Sequence, residues 1–287
     1  MLVRIQLETA WVLAESLRCD ERPSPEFYGF IEQDKLPNRH PPDDRKKEPI
    51  PLLAQFLLTQ TAAHGEHEMT NLKDFTTTVA RPLPVLLLAD VSGSMSIDGK
   101  IDALNDAVAE MLAAFAEEDD SRAEIHVAVI TFGAREAKLH QPLAPASSVT
   151  WAPMQAAGNT PMGAAFALAT AILEDRSQIP SRAYRPTLIL LSDGQPNDEW
   201  RPPLQRLLSL DRAAKAARFA LGIGDADLQM LQEFLGRPDA RVLQAHEARD
   251  IKKFFRWVTM TVTSRSRSAT PDTFVPAEPT SLDELDF

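Results

Sequence analysis

From residue 83 onward, hydrophobic positions alternate between two patterns. Short unbroken apolar runs are separated by longer stretches with an apolar residue every three or four positions. The first kind predicts buried strands and the second amphipathic helices. Residues 83–90 predict a central strand. Residues 101–118 predict a helix, with Ile101, Leu104, Val108, Leu112 and Phe115 on one side. Residues 125–132, β-branched and aromatic, predict a second strand. Residues 139–143 predict a short edge strand ended by Pro142 and Pro145. Pro161 opens a helix running to about Asp175. Three strands follow, at 187–192, 219–223 and 241–244, separated by helices at 204–218 and 228–235. A last helix spans 247–262. Strands alternating with helices, the central ones apolar throughout, imply an α/β fold with a largely parallel sheet covered on both faces. Ligands of such sheets sit at the carboxyl ends of strands, where strand order reverses. Three predicted strand ends carry acids there: Asp90, Asp193 and Asp225.

The two flanks lack this regularity. Residues 2–17 have the spacing of an amphipathic helix. Proline-rich and charged stretches follow, and a second apolar patch lies at 50–61. Three readings of 1–68 stand side by side: two short helices packed on the main domain, a weakly ordered extension, or residues upstream of a natural start at Met69. Residues 265–287, with Arg265 and Arg267 among serines, three prolines and the acidic end Asp283-Glu284-Leu285-Asp286-Phe287, predict a flexible tail. The expected organisation is an extension at 1–68, a domain at 69–264 and a tail at 265–287.

Composition narrows the function classes. The 287 residues carry a formal net charge of −11, which disfavours general nucleic-acid binding. Cys19 is the only cysteine, so neither an intrachain disulfide nor a cysteine metal site can form. A reducing, cytoplasmic setting is expected. Glu8 and Glu15 interrupt the apolar start, as a secretory signal would not. No apolar run reaches the roughly 18 residues of a spanning helix, so no membrane association is expected.

The candidate chemistry lies at the end of the first strand. Asp90-Val91-Ser92-Gly93-Ser94 turns residues 90, 92 and 94 toward one point, offering a carboxylate and two hydroxyls. Hard oxygen donors of this kind suit a divalent cation. An ordinary Asp/Ser/Gly turn is the competing account. Thr160, before Pro161, is placed either as a helix N-cap or as a further donor. Asp193 closes the strand at 187–192 in Ser192-Asp193-Gly194-Gln195-Pro196-Asn197-Asp198-Glu199-Trp200.

Together these segments resemble the von Willebrand factor A (VWA) family and its metal-ion-dependent adhesion site, MIDAS. That site has a D-x-S-x-S loop, a distant Thr and a later Asp. The matching positions are Asp90, Ser92, Ser94, Thr160 and Asp193, and the likeness covers about residues 81–262. The resemblance implies a Rossmann-like three-layer αβα fold, its central sheet mostly parallel with one short antiparallel edge strand. It also implies Mg2+ at the five residues, with Mn2+ or Ca2+ as alternatives. The expected role is protein–protein interaction, a partner's Asp or Glu completing the metal's coordination. Residues 192–200, Phe219-Ala220-Leu221-Gly222-Ile223-Gly224-Asp225, 254–260 and the start at Met69 resemble the bacterial TerY/YegL-like tellurium-resistance group. That likeness implies an adaptor or scaffold in a stress- or defence-associated complex. Expected company includes a protein kinase, a phosphatase or other tellurium-resistance proteins. The 1–68 extension and the lack of a cysteine-rich segment depart from the group.

Two other function classes compete with this one. A metal-dependent phosphohydrolase would need further convergent carboxylates and a base. No phosphate-binding Gly-rich loop or nucleophile elbow occurs, and His126 and His140 fall on predicted strands, so no catalytic residue is expected. A nucleic-acid role would rest on Arg256, Arg265 and Arg267 alone. Asp98, Asp102 and Asp106 read either as a second cation site or as a solvated helix face. Asp198 and Glu199 are candidates for tuning the first site, and Trp200 reads as a packing or rim residue. The acidic tail is a candidate short docking motif.

Overall fold

The computed structural model describes residues 80–118, 122–274 and 279–285. The expectations for 1–68, including a start at Met69, lie outside the described residues. Within them, six strands form one sheet: β1 (Arg81–Asp90), β2 (Ala123–Gly133), β3 (Glu136–Pro145), β4 (Thr187–Ser192), β5 (Ala217–Ile223) and β6 (Leu243–Ala245), in the order β3-β2-β1-β4-β5-β6. All neighbours are parallel except β2 and β3, a hairpin that supplies the one antiparallel edge. Strand order reverses between β1 and β4.

Helices cover both faces. Helix α1 (Lys100–Ala116) and helix α5 (Ala248–Arg267) pack on the face that receives Leu83, Val85, Leu87 and Ala89 of β1. Helices α2 (Met162–Glu174), α3 (Arg201–Ser209) and α4 (Leu228–Leu235) pack on the face that receives Leu86 and Leu88. Both sets of β1 side chains are therefore buried, which explains the unbroken apolar run. Pro82 and Pro84 are tolerated in this central strand for a local reason. The Pro82 carbonyl accepts from the Tyr184 N–H at 2.8 Å, so the backbone of residues 82 and 84 faces the β4 side. Ladder pairing there begins only at Val85 with Thr187. The missing N–H groups thus fall where no ladder exists.

The structure moves several predicted boundaries. Strand β3 is longer than expected, and Pro142 lies inside it, at the register shift between Val127 and Val129 of β2, where an edge strand loses nothing by lacking an N–H. The helix expected over 204–218 is only α3. Leu210 is extended, and the Arg212 and Ala213 N–H groups donate to the Glu174 carboxylate, which stops the helix and frees 217–223 for β5. Helix α5 continues five residues beyond the expected end. Glu247 and Asp250 form a reciprocal capping box at its start, and Arg265 is buried in its last turn. Leu282, expected in a flexible tail, is buried against the α1/α5 side of the core.

Candidate metal centre

The site is built at the carboxyl ends of β1 and β4, the two strands flanking the reversal of order. Asp90, the last residue of β1, is fully buried. One carboxylate oxygen accepts from the Ser92 N–H at 2.8 Å and the other from the Ser192 hydroxyl at 2.5 Å. Burial pushes the Asp90 carboxyl up to about 6, against these hydrogen bonds, which lower it; the nearby Asp193 adds a further upward push.

The chain then enters a tight 3-10 segment, Gly93–Gly99, which brings Ser92 and Ser94 toward Asp193. The two serine hydroxyls lie 3.0 Å apart. Ser94 donates to Asp193 Oδ1 at 2.7 Å, and Ser92 lies 3.5 Å from the same oxygen. The other Asp193 oxygen takes the Lys100 ammonium at 2.7 Å, and the Asp193 side chain is wholly buried.

Thr160 is nine-tenths buried and does not cap α2 through its side chain. That task falls to Asp198, whose two carboxylate oxygens accept from the Gly163 and Ala164 N–H groups, each at 2.9 Å. The approach is close: a Cβ at Gly163 would sit 2.7 Å from the Glu199 carbonyl oxygen. The Thr160 carbonyl accepts from the Asn197 N–H, pinning residue 160 to the loop after β4. A Cβ at Gly194 would press on Thr160 Oγ1 at 3.3 Å, so that hydroxyl and the Asp193–Gly194 turn adjoin across a gap that only glycine leaves open.

All five predicted residues therefore fall at one end of the sheet, and hydrogen bonds join four of them directly: Asp90, Ser92, Ser94 and Asp193. The set consists of oxygens alone, two carboxylates and three hydroxyls, which fits a hard divalent cation. Other sequence candidates separate from it. Asp98 sits in the loop with φ 56°, and Asp106 pairs with Lys252 at 2.9 Å. Among the described residues, no group of three acidic, His or Cys side chains gathers as a second cation site. Asp225 is exposed, Glu199 is exposed, and Trp200 is buried among the α2–α4 core residues. His126 pairs with Glu124, and His140 bonds the Ala152 carbonyl and packs edge-on against Trp151. Arg265 is buried and Arg267 pairs with Glu118, so they form no exposed basic stripe with Arg256. Sequence reasoning missed Lys100 and Ser192. Lys100 is the sole basic residue between Arg81 and Arg122, six positions after Ser94, and that isolation was a signal.

Residues 85–257 match the family model of the von Willebrand factor type A domain. The chain belongs to the VWA domain family. Solved structures with this fold include proximal thread matrix protein 1 from the mussel byssus, 18% identical at a TM-score of 0.51, covering 65% of this chain and 49% of that one. A form of the same mussel protein with a zinc-occupied MIDAS motif is 17% identical at 0.51, covering 64% and 48%. The SpaC pilus adhesin of Lactobacillus rhamnosus GG is 16% identical at 0.51, covering 64% and 31%. The aligned region spans less than half of each of these chains. No curated protein matches the chain significantly. The family and the mostly parallel six-stranded sheet between helices establish the three-layer VWA fold. Among the described residues, no helix is long and apolar enough to cross a membrane.

Proposed function

We propose that this VWA domain holds a divalent cation with Asp90, Ser92, Ser94, Thr160 and Asp193 and uses it to dock a carboxylate of a partner protein. The observation that carries this reading is the convergence of oxygen donors from two separate loops on the Asp193 turn. Ser92 and Ser94 approach one carboxylate oxygen, and Thr160 adjoins Gly194. The zinc-occupied MIDAS motif of the mussel protein supports the same kind of site here. Magnesium is the expected ion, with manganese or calcium as alternatives. Bound there, it supplies an electrophilic centre that retains exchangeable water positions.

The chain's own residues account for the rest. The three hydroxyls add no charge and the two carboxylates formally balance a divalent cation, so the Lys100 ammonium, 2.7 Å from Asp193, leaves the filled site net positive, which favours an incoming anionic ligand. Asp90 already accepts two hydrogen bonds, so it is oriented before any ligand arrives. Ile97 is 56% exposed in the loop beside the serines and offers an apolar contact to a docked surface. We place the protein as an adaptor in a bacterial tellurium-resistance or stress- and defence-associated complex, acting in the cytoplasm. Its partner there is a protein presenting an Asp or Glu, a kinase, a phosphatase or another tellurium-resistance protein among the candidates.

The test is a co-precipitation of candidate partners in magnesium and in chelator, beside the double variant Asp90→Ala/Ser92→Ala. Magnesium-dependent capture lost in the double variant, with its thermal unfolding still cooperative, is the expected result. Capture that persists equally in chelator and in the variant rejects docking through the metal.

A further inference from the structure

The opposite end of the same strands carries a different kind of site. A cavity of about 400 Å³ opens where β4 and β5 begin and α5 ends. That volume lies in the range of roughly 300–1,000 Å³ typical of small-ligand sites. Its walls include Arg185, Arg218, Arg237 and Arg265, with Phe219 and Phe274 as apolar surface. Asp272 is the only acid among the lining residues, and it is engaged. It accepts from the Arg185 N–H at 2.7 Å and lies 3.4 Å from the Arg265 guanidinium.

Arg218 is the unusual member. It is nine-tenths buried, yet no carboxylate among the described residues pairs with it. Its Nη2 donates to the carbonyls of Ala213 and Ala214 at 3.2 and 3.1 Å. Its Nε is buried with no hydrogen-bond partner among the described residues. Arg185 and Arg237 add like charge nearby. A buried cation left this way is costly unless something brings negative charge to it. The backbone at Gly236, with φ 65°, passes so close that a Cβ there would sit 3.4 Å from Arg218 Nη1.

We propose that this cavity binds a small phosphate monoester, its dianionic phosphate against Arg218 and Arg185 and its organic body against Phe219 and Phe274. Guanidinium is the side chain best matched to a phosphate's oxygens. Arg237 pairs with Asp239 and Arg265 lies beside Asp272, so Arg185 and Arg218 are the two charges left for a dianion to meet. A cavity of this size with partly apolar walls fits a small molecule better than a polymer.

Calorimetric titration of the full chain with phenyl phosphate, in chelator, tests this. Chelator matters because a cation at the Asp193 end would itself attract phosphate. Saturable binding is expected, and it should be equal in Asp193→Ala. Inorganic phosphate should bind more weakly for want of the apolar body, and benzoate more weakly for want of the second charge. Arg218→Met should weaken phenyl phosphate about tenfold or more, and Arg185→Ala by a smaller factor. Arg185 is exposed, so its variant remains informative even if Arg218→Met fails to fold. No saturable binding, binding seen only with magnesium, benzoate binding as tightly as phenyl phosphate, or indifference to Arg185→Ala would each overturn the proposal.

Discussion

The two ends of the central strands bury charge in opposite ways. At the carboxyl end, each oxygen of Asp90 and Asp193 has a partner: a backbone N–H, serine hydroxyls and the Lys100 ammonium. At the amino end, two buried arginines line one cavity with unequal support. Arg265 donates to the Pro271 and Arg185 carbonyls, to the Thr187 hydroxyl and toward Asp272. Arg218 reaches two carbonyls, and its Nε has no partner among the described residues. Burial lowers both guanidinium pKa values to about 10, but for Arg265 the nearby Asp272 works the other way. A fully partnered buried charge is part of the scaffold, and a ligand must displace something to reach it. An unpartnered one gains from any anion that arrives.

The largest effect expected from this contrast is at Arg265. Arg265→Met removes a hub that ties α5 to the start of β4 and to the 271–272 turn, and should cost about 3–5 kcal/mol. Arg218→Met removes an unpaired buried charge along with its two carbonyl contacts, and should cost no more than about 2 kcal/mol. Denaturant unfolding of the two variants measures the difference. Equal losses would remove the distinction between the two arginines.

Next in size is the pH dependence at Asp90. Its folded pKa, about 6, lies above the ordinary 3.8, so the folded state holds this proton more tightly than the unfolded chain does. Its contribution is therefore favourable at low pH and is lost as pH rises from about 4 to about 6. In metal-free protein the buried carboxylate then costs about 3 kcal/mol at neutral pH. Asp90→Asn mimics the protonated form. The variant's stability relative to wild type, measured in chelator, should rise across that window and stay flat above it. A difference that does not change with pH would mean that Asp90 titrates normally.

Much of this was legible in the sequence because the strands are buried on both faces, and continuous apolar runs such as 85–89 announce that directly. The five candidate residues were legible as types, Asp90, Ser92, Ser94 and Asp193 at strand ends and Thr160 just before a helix. What failed was anything set by long-range partners. Glu174 stops α3 from 38 residues away, and Asp198 takes the capping role that Thr160 appeared to hold locally. The loop serines read the same in a turn as in a metal site. The approach of Asp193, 99 residues after Ser94, is what the sequence around the serines could not display. Arg218 read as the end of a helix because Leu204, Leu207 and Leu208 have helical spacing that runs into it. The extended backbone at Leu210 ends that helix first.

Lys100 sharpens the contrast from the other side. Its ammonium sits on Asp193 Oδ2 at 2.7 Å and is only 19% exposed. A divalent cation that draws on this carboxylate must compete with it. Lys100→Met should tighten magnesium binding roughly tenfold, about 1.4 kcal/mol, while lowering metal-free stability because Asp193 is left buried with fewer partners. Titration calorimetry and thermal unfolding with and without magnesium measure both. Weaker magnesium binding in this variant would make Lys100 a support of the site and not a competitor.

The smallest expected effect separates capping from ligation. Asp198 bonds the Gly163 and Ala164 N–H groups at the start of α2, and its neighbour Asn197 donates to the Thr160 carbonyl. If capping is its task, Asp198→Ala should cost about 1 kcal/mol of stability, the usual worth of a helix cap. Magnesium affinity should then fall only a few-fold, through the looser hold on Thr160. Asp198→Asn keeps an acceptor for one N–H and should lie between wild type and Ala in stability, with magnesium affinity close to wild type. A large loss of magnesium affinity with unchanged stability would instead make Asp198 a ligand. Thr160 would then be the residue whose place in the site needs another explanation.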